Sequence, residues 1–182
     1  VSSGGVRPNP KLIESVSKWP VPSSRKECQQ FMGLCNYYRR FIPGFSDIAV
    51  PITALTSKEV DFVWTQEAQQ AFETLKMLLC QAPILSFPVD EGSFILDTDA
   101  SGVGIGAVLS QMQEGQEKVI AYGSKKLSKE QRRYCVTRRE LLSIVVFLKE
   151  FRKYLLGKEF LIRTDHDSLV CLLNFKEPQG QL

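Results

Sequence analysis

The chain has 182 residues, a formal net charge of +3 and 43% hydrophobic residues, which suits one large domain or two small ones and excludes a disordered chain. That charge is only mildly basic, so a nucleic-acid partner has to be argued from local clustering. The five cysteines, Cys28, Cys35, Cys80, Cys135 and Cys171, show neither a CxxC pair nor zinc spacing, and read as reduced, intracellular and mostly buried. The most apolar run, residues 141–148, is far below the roughly 18–20 residues of a membrane span, and residues 1–10 are no signal peptide.

Residues 1–22 are rich in proline, serine and glycine and suit an extended entry segment. Ser24 and Glu27 have capping-box spacing, and Cys28, Phe31, Met32, Cys35 and Tyr38 recur at helical intervals, which predicts an amphipathic helix over 25–41. Pro43 and Gly44 end it. A shorter helix follows over 45–56, and Thr65 opens another with Ala68, Ala71, Phe72, Leu75, Leu78 and Leu79 turned inward. Trp19 and Trp64 are assigned to packing. Prolines and a change of periodicity between 81 and 92 place a domain boundary near residue 88, with a mainly helical part over 1–88 and an α/β part over 89–182. In the second part, segments 94–99, 104–110 and 118–122 read as three hairpin-connected strands. A helix over 138–154, a strand over 159–165 and a further helix over 168–174 complete the order β, β, β, α, β, α.

Three acidic residues stand out. The strand ending Asp97-Thr98-Asp99 puts two carboxylates on one face, a repulsive pair that a hard divalent cation would relieve, although an ordinary polar strand exit would look the same. Glu140 has a stronger alternative, a capping box with Thr137 that opens the following helix. Yet it shares its helical face with Ile144, Phe147 and Phe151, and a charge that begins a core-facing stripe needs a partner. Asp165 closes a second apolar strand that also ends in Thr-Asp. His166, the one histidine, reads as a surface or turn residue.

Residues 125–139 hold seven basic side chains, Lys125, Lys126, Lys129, Arg132, Arg133, Arg138 and Arg139, against the single acid Glu130, and are a candidate track for a phosphate backbone or a solvated loop. Tyr134 offers stacking, and the NYYRRF stretch at 36–41 is a second basic and aromatic cluster whose rings serve equally well as core. The glycines at 102, 104 and 106 lead toward a strand and not into a helix, so turn and close-packing roles suit them better than phosphate binding.

The segments KECQQFMGLCNYYRRFIPGFSDIAVPITALT (26–56), LDTDASGVGIGAVLSQ (96–111) and TRRELLSIVVFLKEFRKYLLGKEFLIRTDHDSL (137–169) together resemble the Pol polyprotein of gypsy-type LTR retrotransposons and related retroviruses. The resemblance implies a thumb- or connection-like helical region over 1–88. Over 89–182 it implies a ribonuclease H-like mixed-sheet domain that is incomplete at its C-terminus, because the family's fourth acidic residue lies further downstream. It assigns catalysis and metal binding to Asp99, Glu140 and Asp165, with two Mg²⁺ or Mn²⁺ ions, and gives Asp97 no such standing. The implied reaction is cleavage of the RNA strand of an RNA/DNA hybrid, in support of DNA synthesis by the rest of the Pol polyprotein, in a cytoplasmic retroelement particle with a nuclear phase and without a membrane. The polymerase signature is absent. The rival reading is a catalytically inactive module, derived from a retroelement, that binds nucleic acid or a partner subunit.

Overall fold

The computed structural model describes residues 5, 6, 8, 10–81, 85–166 and 169. The chain enters through helix α1 (Pro10–Ser17), where composition suggests an extended segment. Pro10 opens the helix, a position whose N–H has no intrahelical acceptor, so proline's missing donor costs nothing there. Composition hides the helical recurrence of Ile13 and Val16, and Val16 is buried in the first core.

Helix α2 (Arg25–Tyr37) starts where Ser24 Oγ accepts from Glu27 N at 3.3 Å, and Glu27 reaches back to the N–H and hydroxyl of Ser23. Its end tightens into a 3₁₀ turn, Arg39–Phe41. The helix expected over 45–56 is two, α3 (Phe45–Ile48) and α4 (Val50–Leu55), because Pro51 cannot donate back into a continuous ladder. Thr65 caps α5 (Gln66–Cys80) through Ala68 N, and α5 buries Ala68, Ala71, Phe72, Leu75 and Leu79. Phe31 and Phe72 meet at the centre of this first core, 4.7 Å between ring centroids, with Trp19 and Trp64 packed around it.

The second half is a four-stranded sheet of order β3-β2-β1-β4, built from β1 (Phe94–Ala100), β2 (Gly104–Gln113), β3 (Gln116–Lys126) and β4 (Phe160–Arg163). The first three strands run as antiparallel hairpins. β2 and β3 are longer than their apolar stretches because Glu114 and Gly115, both at positive φ, close a two-residue turn between them. β4 returns parallel to β1, with Phe94 opposite Phe160 and Asp97 opposite Arg163. The crossover is helix α6 (Val136–Glu150) followed by α7 (Arg152–Leu155). The helix expected over 168–174 lies outside the described residues apart from Leu169.

One face of the sheet packs Phe94, Leu96, Ala107, Leu109 and Ala121 against Phe147 and Phe151, forming a second core. Gly123 belongs to that contact, because a Cβ there would stand 2.6 Å from the Phe147 ring. On the opposite face, α3 and the 3₁₀ turn of the first half dock on β2 and β3. Arg39 donates to Ser124 O, Ser46 N donates to Ser124 Oγ at 2.6 Å, and Ser101 Oγ donates to Asp47 Oδ2 at 2.8 Å. Gly104 permits this approach, since any Cβ would run into the Asp47 carboxylate. The two aromatic neighbours at 37 and 38 divide accordingly: Tyr37 is exposed, while Tyr38 packs on the first core.

Gln111, on β2, is fully buried and ties down the segment that leads into the sheet. Its Oε1 accepts from Val89 N at 2.9 Å, and its Nε2 donates to the carbonyls of Val89, Glu91 and Gly92 at 2.9, 3.2 and 3.2 Å. Replacing it removes four hydrogen bonds to the backbone of residues 89–92 at once and leaves a cavity at a fully buried position. Gln111→Ala is expected to lower unfolding free energy by about 2–4 kcal/mol in urea denaturation. A loss within the range of an ordinary surface substitution would contradict this role.

Candidate metal centre

Because β1 and β4 are parallel, their carboxyl ends point the same way, and the residues leaving them share one end of the sheet. Asp99 is the penultimate residue of β1, and Asp165 lies two residues beyond Arg163 at the end of β4. Glu140 comes from the first turns of α6. These three carboxylates, distant in sequence, bring oxygens within 4.8 Å of one another.

Their environments differ. Asp99 and Asp165 are exposed, whereas Glu140 is 4% exposed. Glu140 Oε1 accepts the Ala100 N–H at 3.2 Å, while Oε2 is buried without a hydrogen-bond partner. Burial pushes the Glu140 carboxyl above the usual carboxylate range, and the Asp99 and Asp165 charges push it the same way against the opposing pull of the Ala100 N–H and His166. An orphaned carboxylate oxygen facing two further carboxylates is an environment that a hard divalent cation with oxygen ligands satisfies, so this donor set fits Mg²⁺ or Mn²⁺.

The capping-box alternative for Glu140 is overturned. The helix begins at Val136 with Cys135 at its cap and no side-chain cap bond, so Thr137 is already inside it. Thr137 Oγ1 lies 2.8 Å from His166 Nε2, and the glutamate turns to Ala100. His166 is therefore half-buried beside the cluster, not an exposed turn residue, yet it contributes no atom to it.

Asp97 shares a strand face with Asp99 but stands apart from the cluster, with Arg163 Nε and Nη2 on its two oxygens at 2.5 and 2.7 Å. Nothing in the sequence marks Arg163, since its pairing exists only once β4 is laid parallel to β1. Of the basic residues, Lys125 and Lys126 end β3 opposite Ile105 and Gly104, at the same end of the sheet as Asp99, and are exposed with Arg132, Arg133 and Arg138. Arg138 lies over the Tyr134 ring at 3.9 Å from its centroid. Arg139 turns inward, its Nη1 donating to Ser101 O at 3.0 Å, which ties the loop after β1 to α6.

The raised pKa of Glu140 sets a sign for stability. The native state holds this proton more tightly than the unfolded chain, so in the absence of metal the group's contribution falls as pH rises from the ordinary glutamate range through the raised value. Glu140→Gln is expected to raise the metal-free melting temperature at neutral pH by a few degrees; the parent chain is expected to gain a further rise with Mg²⁺, and the variant to lack it. Differential scanning calorimetry with and without Mg²⁺ checks both. A destabilised metal-free variant that keeps its Mg²⁺ response would contradict the assignment.

Residues 64–162 match the family described as the RNase H-like domain found in reverse transcriptase. The chain is 42% identical over 184 residues to the retrovirus-related Pol polyprotein from transposon 297 of Drosophila melanogaster, covering 100% of this chain and 17% of that protein. It is 38% identical over 185 residues to the transposon Tf2-3 polyprotein of Schizosaccharomyces pombe, covering 100% of this chain and 14% of that protein. The chain thus spans about a sixth of the length of these curated relatives. In fold it is similar to the dRH form of a foamy viral protease-reverse transcriptase in complex with double-stranded DNA, with a TM-score of 0.81 and 22% identity over 98% of this chain and 31% of that one. A foamy viral protease-reverse transcriptase in complex with an RNA/DNA hybrid gives a TM-score of 0.80 and 22% identity, covering 100% of this chain and 25% of that one. With its mixed sheet, its crossover helix and its strand-end carboxylates, the chain belongs to the family of RNase H-like domains found in reverse transcriptase.

Proposed function

We propose that this chain is the segment of a retroelement reverse transcriptase that hydrolyses the RNA strand of an RNA/DNA hybrid, with residues 1–88 as a thumb- or connection-like support and 89–182 as the nuclease part. The observation that carries this reading is the convergence of Asp99, Glu140 and Asp165, with one glutamate oxygen buried and unpartnered.

Asp99, Glu140 and Asp165 would hold the divalent ions, two in the usual scheme, which supply an activated water and offset charge at the scissile phosphate. The protein's part is to fix the donors in advance. The Ala100 N–H orients Glu140, the β1–β4 register sets Asp99 beside Asp165, and the Arg139 bond to Ser101 O holds the loop that follows. Neither serine nor cysteine is needed as a nucleophile. The exposed basic residues between the end of β3 and α6 face the phosphate backbone, and choice of the RNA strand rests on 2′-hydroxyl contacts in a shallow groove with little base readout. Foamy viral proteins of the same fold are in complex with double-stranded DNA and with an RNA/DNA hybrid, which supports a double-helical nucleic acid as the substrate class.

The test is cleavage of labelled RNA annealed to DNA, in Mg²⁺ or Mn²⁺, by a Pol-length polypeptide carrying this sequence. Asp99→Asn, Glu140→Gln and Asp165→Asn are each expected to lower the cleavage rate at least about a hundredfold, on the scale of losing one charge-stabilising group in an active site. Binding of the hybrid should persist in all three. Unchanged cleavage would defeat the assignment, and binding without cleavage in the parent protein would favour an inactive binding module. A paired change of Lys126→Ala and Arg133→Ala is expected to weaken hybrid binding for every sequence and to flatten its log–log salt dependence by about one unit for each phosphate that is no longer neutralised. An unaltered salt slope would remove these residues from the interface.

A further inference from the structure

Two carboxylates stand on one face of β1, yet only one of them enters the cluster. Asp97 lies opposite Arg163 in the parallel register, two residues before Asp99 on one strand, with Arg163 two residues before Asp165 on the other. The guanidinium meets both oxygens of Asp97, at 2.5 and 2.7 Å. Its outer edge is taken by Glu117 of β3, at 2.7 and 3.1 Å. Asp97, Thr98, Asp99, Arg163, Thr164 and Asp165 line one shallow depression, so the pair borders the cluster directly.

Released from arginine, an aspartate one alternation away would sit roughly 6–7 Å along the strand from Asp99, close enough for two side chains to share a cation. A fourth carboxylate would deepen the negative potential and occupy a position otherwise open to water or a phosphate oxygen. Lysine could not substitute for arginine here, because only the planar fork holds both oxygens of one acid while donating to another.

Building on the metal-centre reading above, we propose that Arg163 is a positioning residue that withholds Asp97 from the cation and cross-ties β1 to β4 beside Asp99 and Asp165. The ligand set from the described residues stays at three carboxylates because the guanidinium occupies the fourth. A merely structural ion pair would act on the cation only as added or removed charge, and such effects add independently.

A double-mutant cycle separates the two. Mn²⁺ affinity of the full chain is read from loss of the free-ion electron paramagnetic resonance signal, for the parent, Asp97→Asn, Arg163→Gln and the combination. With Arg163 present, Asp97→Asn is expected to change affinity by less than about threefold, the size of a screened neighbouring charge. Arg163→Gln is expected to tighten binding about tenfold or more, and adding Asp97→Asn to it to reverse the gain, since an inner ligand is then lost. Equal effects of Asp97→Asn in both backgrounds would overturn the proposal. So would a tenfold loss on Asp97→Asn alone, which would make Asp97 a ligand already. If Arg163→Gln lacks the parent's circular dichroism, Arg163→Lys carries the same cycle, with a coupling of about threefold or more expected and strict additivity contradicting it. Asp99→Asn distinguishes the underlying reading: if it leaves Mn²⁺ binding intact, the metal centre itself is misassigned.

Discussion

The structure is organised around a carboxyl group placed where its charged form is costly. Glu140 is buried at the N-terminal end of α6, one of its oxygens has no hydrogen-bond partner, and two aspartates face it. An isolated buried carboxylate is among the most unfavourable groups in a protein interior, and like charges nearby make it worse. A divalent cation reverses both effects at once. In the proposed reading, the arrangement that is costly without metal is the one that would attract a cation.

The rest of the second half brings three carboxylates to one point. Asp99 and Asp165 are neighbours because β4 returns parallel to β1, which requires a crossover, and the crossover is the helix that carries Glu140. Glycine at 123 lets Phe147 lie against the sheet and so sets how closely α6 approaches. On the opposite face, the first half reaches the loop after β1 through the Asp47–Ser101 bond, beside Gly104. The helical half and the sheet thus meet two residues from Asp99, at the Asp47–Ser101 bond.

Much of this is legible in the residues. The helices α2 and α5 follow from caps and apolar periodicity, the first three strands from short β-branched stretches, and Asp99, Glu140 and Asp165 from two strand exits and a misplaced charge. What escapes is non-local or masked by composition. α1 hides among the prolines and serines of residues 1–22, and Gln111 looks like any polar residue at a strand end until its carboxamide meets the backbone of residues 89–92. Thr137 and Glu140 have the spacing of a cap, but the helix already begins at Val136, and their side chains turn to His166 and to the Ala100 N–H. Arg163 can be matched to Asp97 only through the parallel register, which no local pattern encodes.

The most direct measurement is anomalous diffraction from crystals grown with Mn²⁺. Density within about 2.0–2.2 Å of oxygens from Asp99, Glu140 and Asp165 together is the expected result, with Glu140 Oε2 among the ligands. Manganese bound elsewhere, or a Glu140 oxygen still unpartnered at saturating Mn²⁺, would contradict it.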